Sequence, residues 1–133
     1  MNLIDRHELR EKLERGDEFT LVMTLSEVAF RAKHIPTSVH FETIGDALDV
    51  LDRAEEIVVY CSDVHCAASI YAYSFLEREG YADVRRYAGG IADWEEAGYP
   101  LDDGAPDPPA ARPSRRRPAV AARGVRRPWL VCA

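Results

Sequence analysis

Two cysteines, Cys61 and Cys66, stand five residues apart directly after the apolar run Ile57-Val58-Val59-Tyr60. A thiol becomes a useful nucleophile when a strand delivers it into a short loop that leads at once into a helix. The first amides of the helix are unpaired and the loop can turn them toward the sulfur, so a thiolate there is stabilised. The stretch Cys61-Ser62-Asp63-Val64-His65-Cys66-Ala67 has that form. It makes Cys61 a candidate for covalent catalysis, with the amides of Ser62, Asp63, Val64, His65, Cys66 and Ala67 as its cradle. The competing reading is a small inert residue buried at a strand end, a common fate of free cysteine. For Cys66 two roles stand side by side: a thiol that closes a disulfide with Cys61, or a small residue that packs the helix start.

Other chemically capable residues are scattered. His34 reads as fixing a turn by hydrogen bonding, His65 as a loop residue, and His7 and His40 as isolated. These histidines and the three cysteines show no zinc spacing, so no metal and no organic cofactor are expected. Trp94 reads as packing, Tyr71 and Tyr73 as covering the sheet or edging a pocket, and Glu8, Glu11 and Glu14 as a solvated helix face.

The elements that must position Cys61 are legible as an alternation. Asp5 caps a helix that carries Leu9 and Leu13 and stops at Gly16, and Phe19 to Met23 reads as a buried strand. Ser26 to Ala32 reads as a short helix, followed by the extended His34-Ile35-Pro36 and a short strand at Val39 to Phe41. Thr43 caps a helix bearing Ile44, Ala47, Leu48 and Leu51, and the apolar run before Cys61 is a strand covered on both faces. A helix from Ala67 to Glu79, a strand from Val84 to Tyr87, a turn at Gly89-Gly90 and a helix from Ile91 to Ala97 complete the series. Such short alternation predicts a mainly parallel α/β sheet with helices on both faces.

Charge divides the chain. Residues 1–100 hold 20 acids and 10 bases, a balance of −10, whereas residues 101–133 hold 7 arginines against 3 aspartates, a balance of +4. Six prolines in those last 33 residues argue against regular structure. The expected organisation is therefore a domain over 1–101 and a flexible, disordered Pro/Arg/Ala-rich tail over 102–133, which carries Arg115-Arg116-Arg117 and Cys132. The acidic domain is not expected to bind nucleic acid, no segment suits a membrane span or a signal peptide, and a reducing cytoplasm is the expected compartment.

The order of these features resembles the single-domain rhodanese family, through residues 3–101. The resemblance rests on His34-Ile35-Pro36, the strand into the Cys61 loop, and Gly89-Gly90-Ile91 with Trp94, Gly98 and Pro100. It implies a rhodanese-like doubly wound fold and a sulfurtransferase that carries sulfur as a persulfide on Cys61. The partners implied are a small sulfur donor and a thiol, protein or cyanide-like acceptor. The six-residue loop from Cys61 to Cys66 matches the length used for sulfur substrates, and its lack of arginine or lysine argues against a related phosphatase. In this family the loop turns its side chains outward, which disfavours the disulfide role of Cys66. Three departures stand out. Met23-Thr24-Leu25-Ser26 replaces the usual Asp-x-Arg, Cys66 replaces a frequent arginine, and Thr37 replaces a frequent glycine. Thiosulfate, a dianion, is accordingly expected to bind poorly. A weakly catalytic binding or regulatory module and a Cys61/Cys66 redox sensor are the alternatives that the departures leave open.

Overall fold

A computed structural model describes residues 1–105, so most of the segment read as a tail lies outside the described residues. Helix α1 (Arg6–Arg15) begins where the Asp5 carboxylate accepts the Glu8 amide at 2.8 Å and ends at Gly16, whose φ of 73° reverses the chain. Strand β1 (Thr20–Met23) leads to α2 (Glu27–Ala32), capped by Ser26, and then to the two-residue strand β2 (Val39–His40). Strand β3 (Glu56–Tyr60), α3 (Ala68–Arg78), β4 (Asp83–Tyr87) and α4 (Gly90–Glu96) follow.

The four strands form one sheet in the order β2-β1-β3-β4, and every pairing is parallel. From β1 the chain winds outward one way and from β3 the other, so the crevice beyond the carboxyl ends of β1 and β3 is the topological switch point. Alternation along β3 supplies both cores. Val58 and Tyr60 join Leu9, Phe30, Ile91 and Trp94 beneath α1, α2 and α4. Ile57 and Val59 join Ala47, Ala72 and Leu76 beneath α3 and its neighbouring turn. These four of the five β3 side chains are sealed from solvent. That explains their uninterrupted apolar character.

Two local expectations change. The segment after Thr43 is a 3₁₀ helix, Ile44–Asp49, instead of an α-helix. Gly45 lowers its helix propensity, whereas α2, of the same length, contains no glycine and keeps α-helical bonding. Glu8 is not merely a solvated residue: both its oxygens receive Arg85 of β4, at 2.7 and 2.9 Å, and this pairing lowers its pKa.

The His34-Ile35-Pro36 segment ties the sheet to the helices. His34 stacks on Phe30 with ring centroids 3.8 Å apart and its Nδ1 lies 2.8 Å from the Phe30 carbonyl. The Ile35 amide donates to the Tyr60 hydroxyl at 3.0 Å, and that hydroxyl donates to Ser38 at 2.9 Å. Burial pushes the Tyr60 pKa up to about 12, so the phenol stays neutral and keeps both bonds. His34 also bridges Asp102 through two backbone bonds, and Gly104 donates to Arg31, so ordered pairing continues to the end of the described chain.

Thr37, which follows, is the one residue other than glycine with a positive φ among those described, at 71°. A branched side chain in that conformation is strained by about 1–2 kcal/mol. Thr37→Gly relieves the strain but frees the unfolded chain, which returns about half of the gain. The expected net result is about 0.5–1 kcal/mol of added stability, read as a higher urea midpoint; an unchanged or lower midpoint contradicts it.

Candidate active site

Cys61 leaves the end of β3 and is 1% exposed. Its main chain is anchored on both sides. The Ile91 amide donates to the Cys61 carbonyl at 3.0 Å and the Ala92 amide to the Ser62 carbonyl at 2.9 Å, so the first turn of α4 clamps the loop. That approach requires Gly90. Its φ is 66°, and a β-carbon there would lie 2.4 Å from the Cys61 carbonyl oxygen. On the other side, the Thr24 amide and hydroxyl both donate to the Tyr60 carbonyl, at 2.9 and 3.0 Å. Thr24 lies in the stretch that lacks Asp-x-Arg, and it supplies a polar brace of its own there.

The loop is shaped by Asp63. Its carboxylate accepts the His65 amide at 2.9 Å and its carbonyl accepts the Cys66 amide at 3.2 Å. Two of the six amides named for the cradle are thus turned toward Asp63. Val64 and His65 are exposed, Ser62 and Asp63 are partly covered, and Ala67 caps α3 without a side-chain bond. Beside the loop a cleft of about 490 Å³ opens between Thr24, Phe41, Glu42, Ala68 and Tyr71. Tyr71 edges this cleft, while Tyr73 is buried and its hydroxyl accepts the Asn2 amide.

The sulfur of Cys61 has partners that local sequence did not reveal. Its thiol lies 3.3 Å from the Ser69 hydroxyl and 3.6 Å from the Cys66 carbonyl. The Ser69 amide also bonds to it. Ser69 is fully buried in the first turn of α3, and its hydroxyl accepts Arg86 Nε of β4 at 2.8 Å. The Cys66 side chain acts on the ionisation of Cys61, and the two are free thiols.

Ionisation differs from expectation too. Burial pushes the Cys61 thiol above its ordinary range, and the adjoining Cys66 side chain adds to the rise; Ser69 acts against both. Burial also opposes ionisation of Cys66, but bonds from the Cys61 thiol and from the amides of Ala68 and Ser62 outweigh it, and its pKa falls. Ionisation of Cys66, the less buried sulfur, is therefore favoured relative to an ordinary thiol, and that of Cys61 is disfavoured. Amides at the start of a helix act on both sulfurs, but at Cys61 they do not outweigh burial.

A doubly wound parallel sheet with a clamped cysteine loop at its switch point defines a recognisable class. The family model for the rhodanese-like domain matches residues 5–97, and the chain belongs to that family. An HTH-type transcriptional regulator of Mycobacterium tuberculosis is 33% identical over 105 residues, which cover 77% of this chain and 46% of that protein. A thiosulfate sulfurtransferase of Actinobacillus pleuropneumoniae is 33% identical over 61 residues, covering 46% of this chain and 55% of that one. The chain thus spans about half the length of these curated relatives. In fold it is similar to the rhodanese-like domain of the Anabaena protein Alr3790. The TM-score is 0.69 at 22% identity, with 92% of this chain and 93% of that one covered. Among the described residues no helix is long and apolar enough to cross a membrane.

Proposed function

We propose that this domain is a sulfurtransferase in which Cys61 carries sulfur between a sulfane donor and a nucleophilic acceptor. The observation that carries this reading is the position of the Cys61 sulfur. It sits at the carboxyl end of the central strand β3, held by the hydroxyl and amide that open α3. In the first step the Cys61 thiolate attacks the outer sulfur of the donor. The Cys61–sulfur bond forms, the donor's sulfur–sulfur bond breaks, and the remainder leaves with the electron pair, as sulfite leaves thiosulfate. In the second step an acceptor thiolate or cyanide attacks the outer sulfur of the persulfide and Cys61 leaves as thiolate. The first step raises Cys61 to the persulfide level at the expense of the donor's sulfur–sulfur bond and the second returns it to thiolate, so the cycle needs no further oxidant or reductant. The similarity to a thiosulfate sulfurtransferase supports the class of reaction. The loop's single formal charge, Asp63, argues for a donor with less negative charge than thiosulfate.

The approach of the Cys61 thiol to the Cys66 main chain, 3.6 Å from its carbonyl, favours a second reading, an oxidation-sensitive pair. A peroxide oxidises Cys61 to a sulfenate; Cys66 then attacks it, the disulfide forms, and water leaves.

Intact and peptide masses after incubation with sulfane donors test both. The expected result is one added sulfur on Cys61, retained in Cys66→Ser and absent in Cys61→Ser. Loss of two hydrogens under mild peroxide, mapping to a Cys61–Cys66 link, supports the second reading. A chain that takes up no sulfur from any donor overturns the transferase and leaves a binding or regulatory module.

A further inference from the structure

Arg86 is a charge without a counter-charge. It is 7% exposed on β4, and no carboxylate among the described residues forms an ion pair with it. One guanidinium nitrogen, Nη2, is buried with no hydrogen-bond partner. A buried cation is retained at a cost unless an anion offsets it. Among the described residues the one side-chain bond of the group points toward the site: Nε donates to the Ser69 hydroxyl, which in turn contacts the Cys61 sulfur. With its oxygen accepting from Arg86, Ser69 has its own proton free for an anionic sulfur. Strand register makes this possible, because Arg86 pairs with Val59, two residues before Cys61.

We propose that Arg86 and Ser69 form a buried positioning relay whose ligand is the sulfur anion on Cys61, whether thiolate or persulfide. The part of this inference that concerns the persulfide rests on the transferase reading. Arg86 brings positive charge from beneath the loop, in a chain whose loop carries no arginine or lysine. Ser69 transmits it through one hydrogen bond, in a medium where water does not screen the charge. The other titratable group facing Cys61 is Cys66, so the relay is best read with that thiol removed.

The test is the pH profile of Cys61 alkylation by iodoacetamide, in the full chain with Cys66→Ser and Cys132→Ser. Arg86→Met keeps the length and removes the charge. It is expected to move the midpoint upward and to slow alkylation at neutral pH by about tenfold, the effect of one pKa unit. Ser69→Ala is expected to shift the midpoint the same way, and Arg86→Lys to recover part of the loss. Direction separates the relay from mere structural damage. Loosened packing hydrates Cys61 and moves its midpoint down, whereas a lost relay moves it up. If Arg86→Met does not fold, Ser69→Ala decides by itself. An unmoved or lowered midpoint in the folded variants overturns the relay. Alkylation needs no sulfur donor, so a shift in a chain that never accepts sulfur sinks the transferase and not the relay.

Discussion

Gly90→Ala is expected to reduce sulfur transfer by about a hundredfold and to destabilise the protein by about 2–5 kcal/mol. The added β-carbon meets main-chain atoms, 2.4 Å from the Cys61 carbonyl oxygen and 2.8 Å from the Ser62 carbonyl carbon, and main chain cannot turn aside as a side chain can. The positive φ contributes about 1–2 kcal/mol of strain, and the forced separation of α4 from the loop contributes about 1–3 kcal/mol more. Separation also loosens the Ile91 and Ala92 amides from the Cys61 and Ser62 carbonyls. The nucleophile then drifts, and a displacement of about 1 Å is enough for a hundredfold loss. Gly98 makes the control. Its φ is 76° but no atom lies within 4 Å of where a β-carbon would stand, so Gly98→Ala bears the strain without the clash. Thermal melting and single-turnover transfer rates check both variants. Equal losses for Gly90→Ala and Gly98→Ala refute this account of the clamp.

Trp94→Ala is expected to cost about 3–5 kcal/mol of stability, the range for removing a fully buried large aromatic. Trp94 is 1% exposed and sits edge-on to both Tyr87 and Tyr99, with ring centroids 6.1 and 4.9 Å apart. Its indole N–H donates to the Pro100 carbonyl at 2.7 Å, which fastens the end of the domain over α4. Trp94→Phe keeps most of the apolar volume and leaves the Pro100 carbonyl unpaired, so its loss is expected to be smaller, about 1–3 kcal/mol. Urea denaturation at fixed pH measures both. A loss below about 1 kcal/mol for the alanine variant shows that the region repacks and that α4 does not depend on this ring. Together the two predictions give the Gly89-Gly90-Ile91 and Trp94 signature physical content. Gly90 admits the loop, Ile91 holds it by its amide, and Trp94 keeps the helix in place.

Each Cys61 prediction depends on how readily that sulfur ionises. Burial and the adjoining Cys66 side chain both oppose its ionisation, so a donor that displaces the Cys66 side chain would ease it. Ser69 and Arg86 are placed to receive that charge when it arrives. On the proposed transferase reading a persulfide calls on them again, because the transferred sulfur enlarges the anion within the same buried surroundings.

Much of this architecture is written in local chemistry. Asp5 and Ser26 accept amides of their own helices, Gly16 turns the chain out of α1, and four consecutive apolar residues before Cys61 announce a strand covered twice. Those signals act over three or four residues, so they survive in the sequence and place the elements to within a residue or two. The same locality puts Cys61 at the mouth of a strand–loop–helix unit. The cleanest failure of local reasoning is the segment after Thr43, where apolar spacing suggested an α-helix and the stretch containing Gly45 forms a 3₁₀ helix.

What the sequence by itself determined is the order of strands and helices and the cysteine that leaves the central strand. Only the tertiary structure decided what surrounds that sulfur. Arg86 and Ser69 are 17 residues apart, Glu8 and Arg85 77 apart, and Thr24 and Tyr60 36 apart. Their pairing depends on the register of parallel strands, which crossover connections set at a distance and no short pattern encodes. Burial likewise belongs to the assembled molecule. It raises the Cys61 thiol and isolates the guanidinium of Arg86 beneath the loop. Desolvation depends on every element packed around a group, and that is why it becomes visible only once the sheet and its two layers of helices are in place.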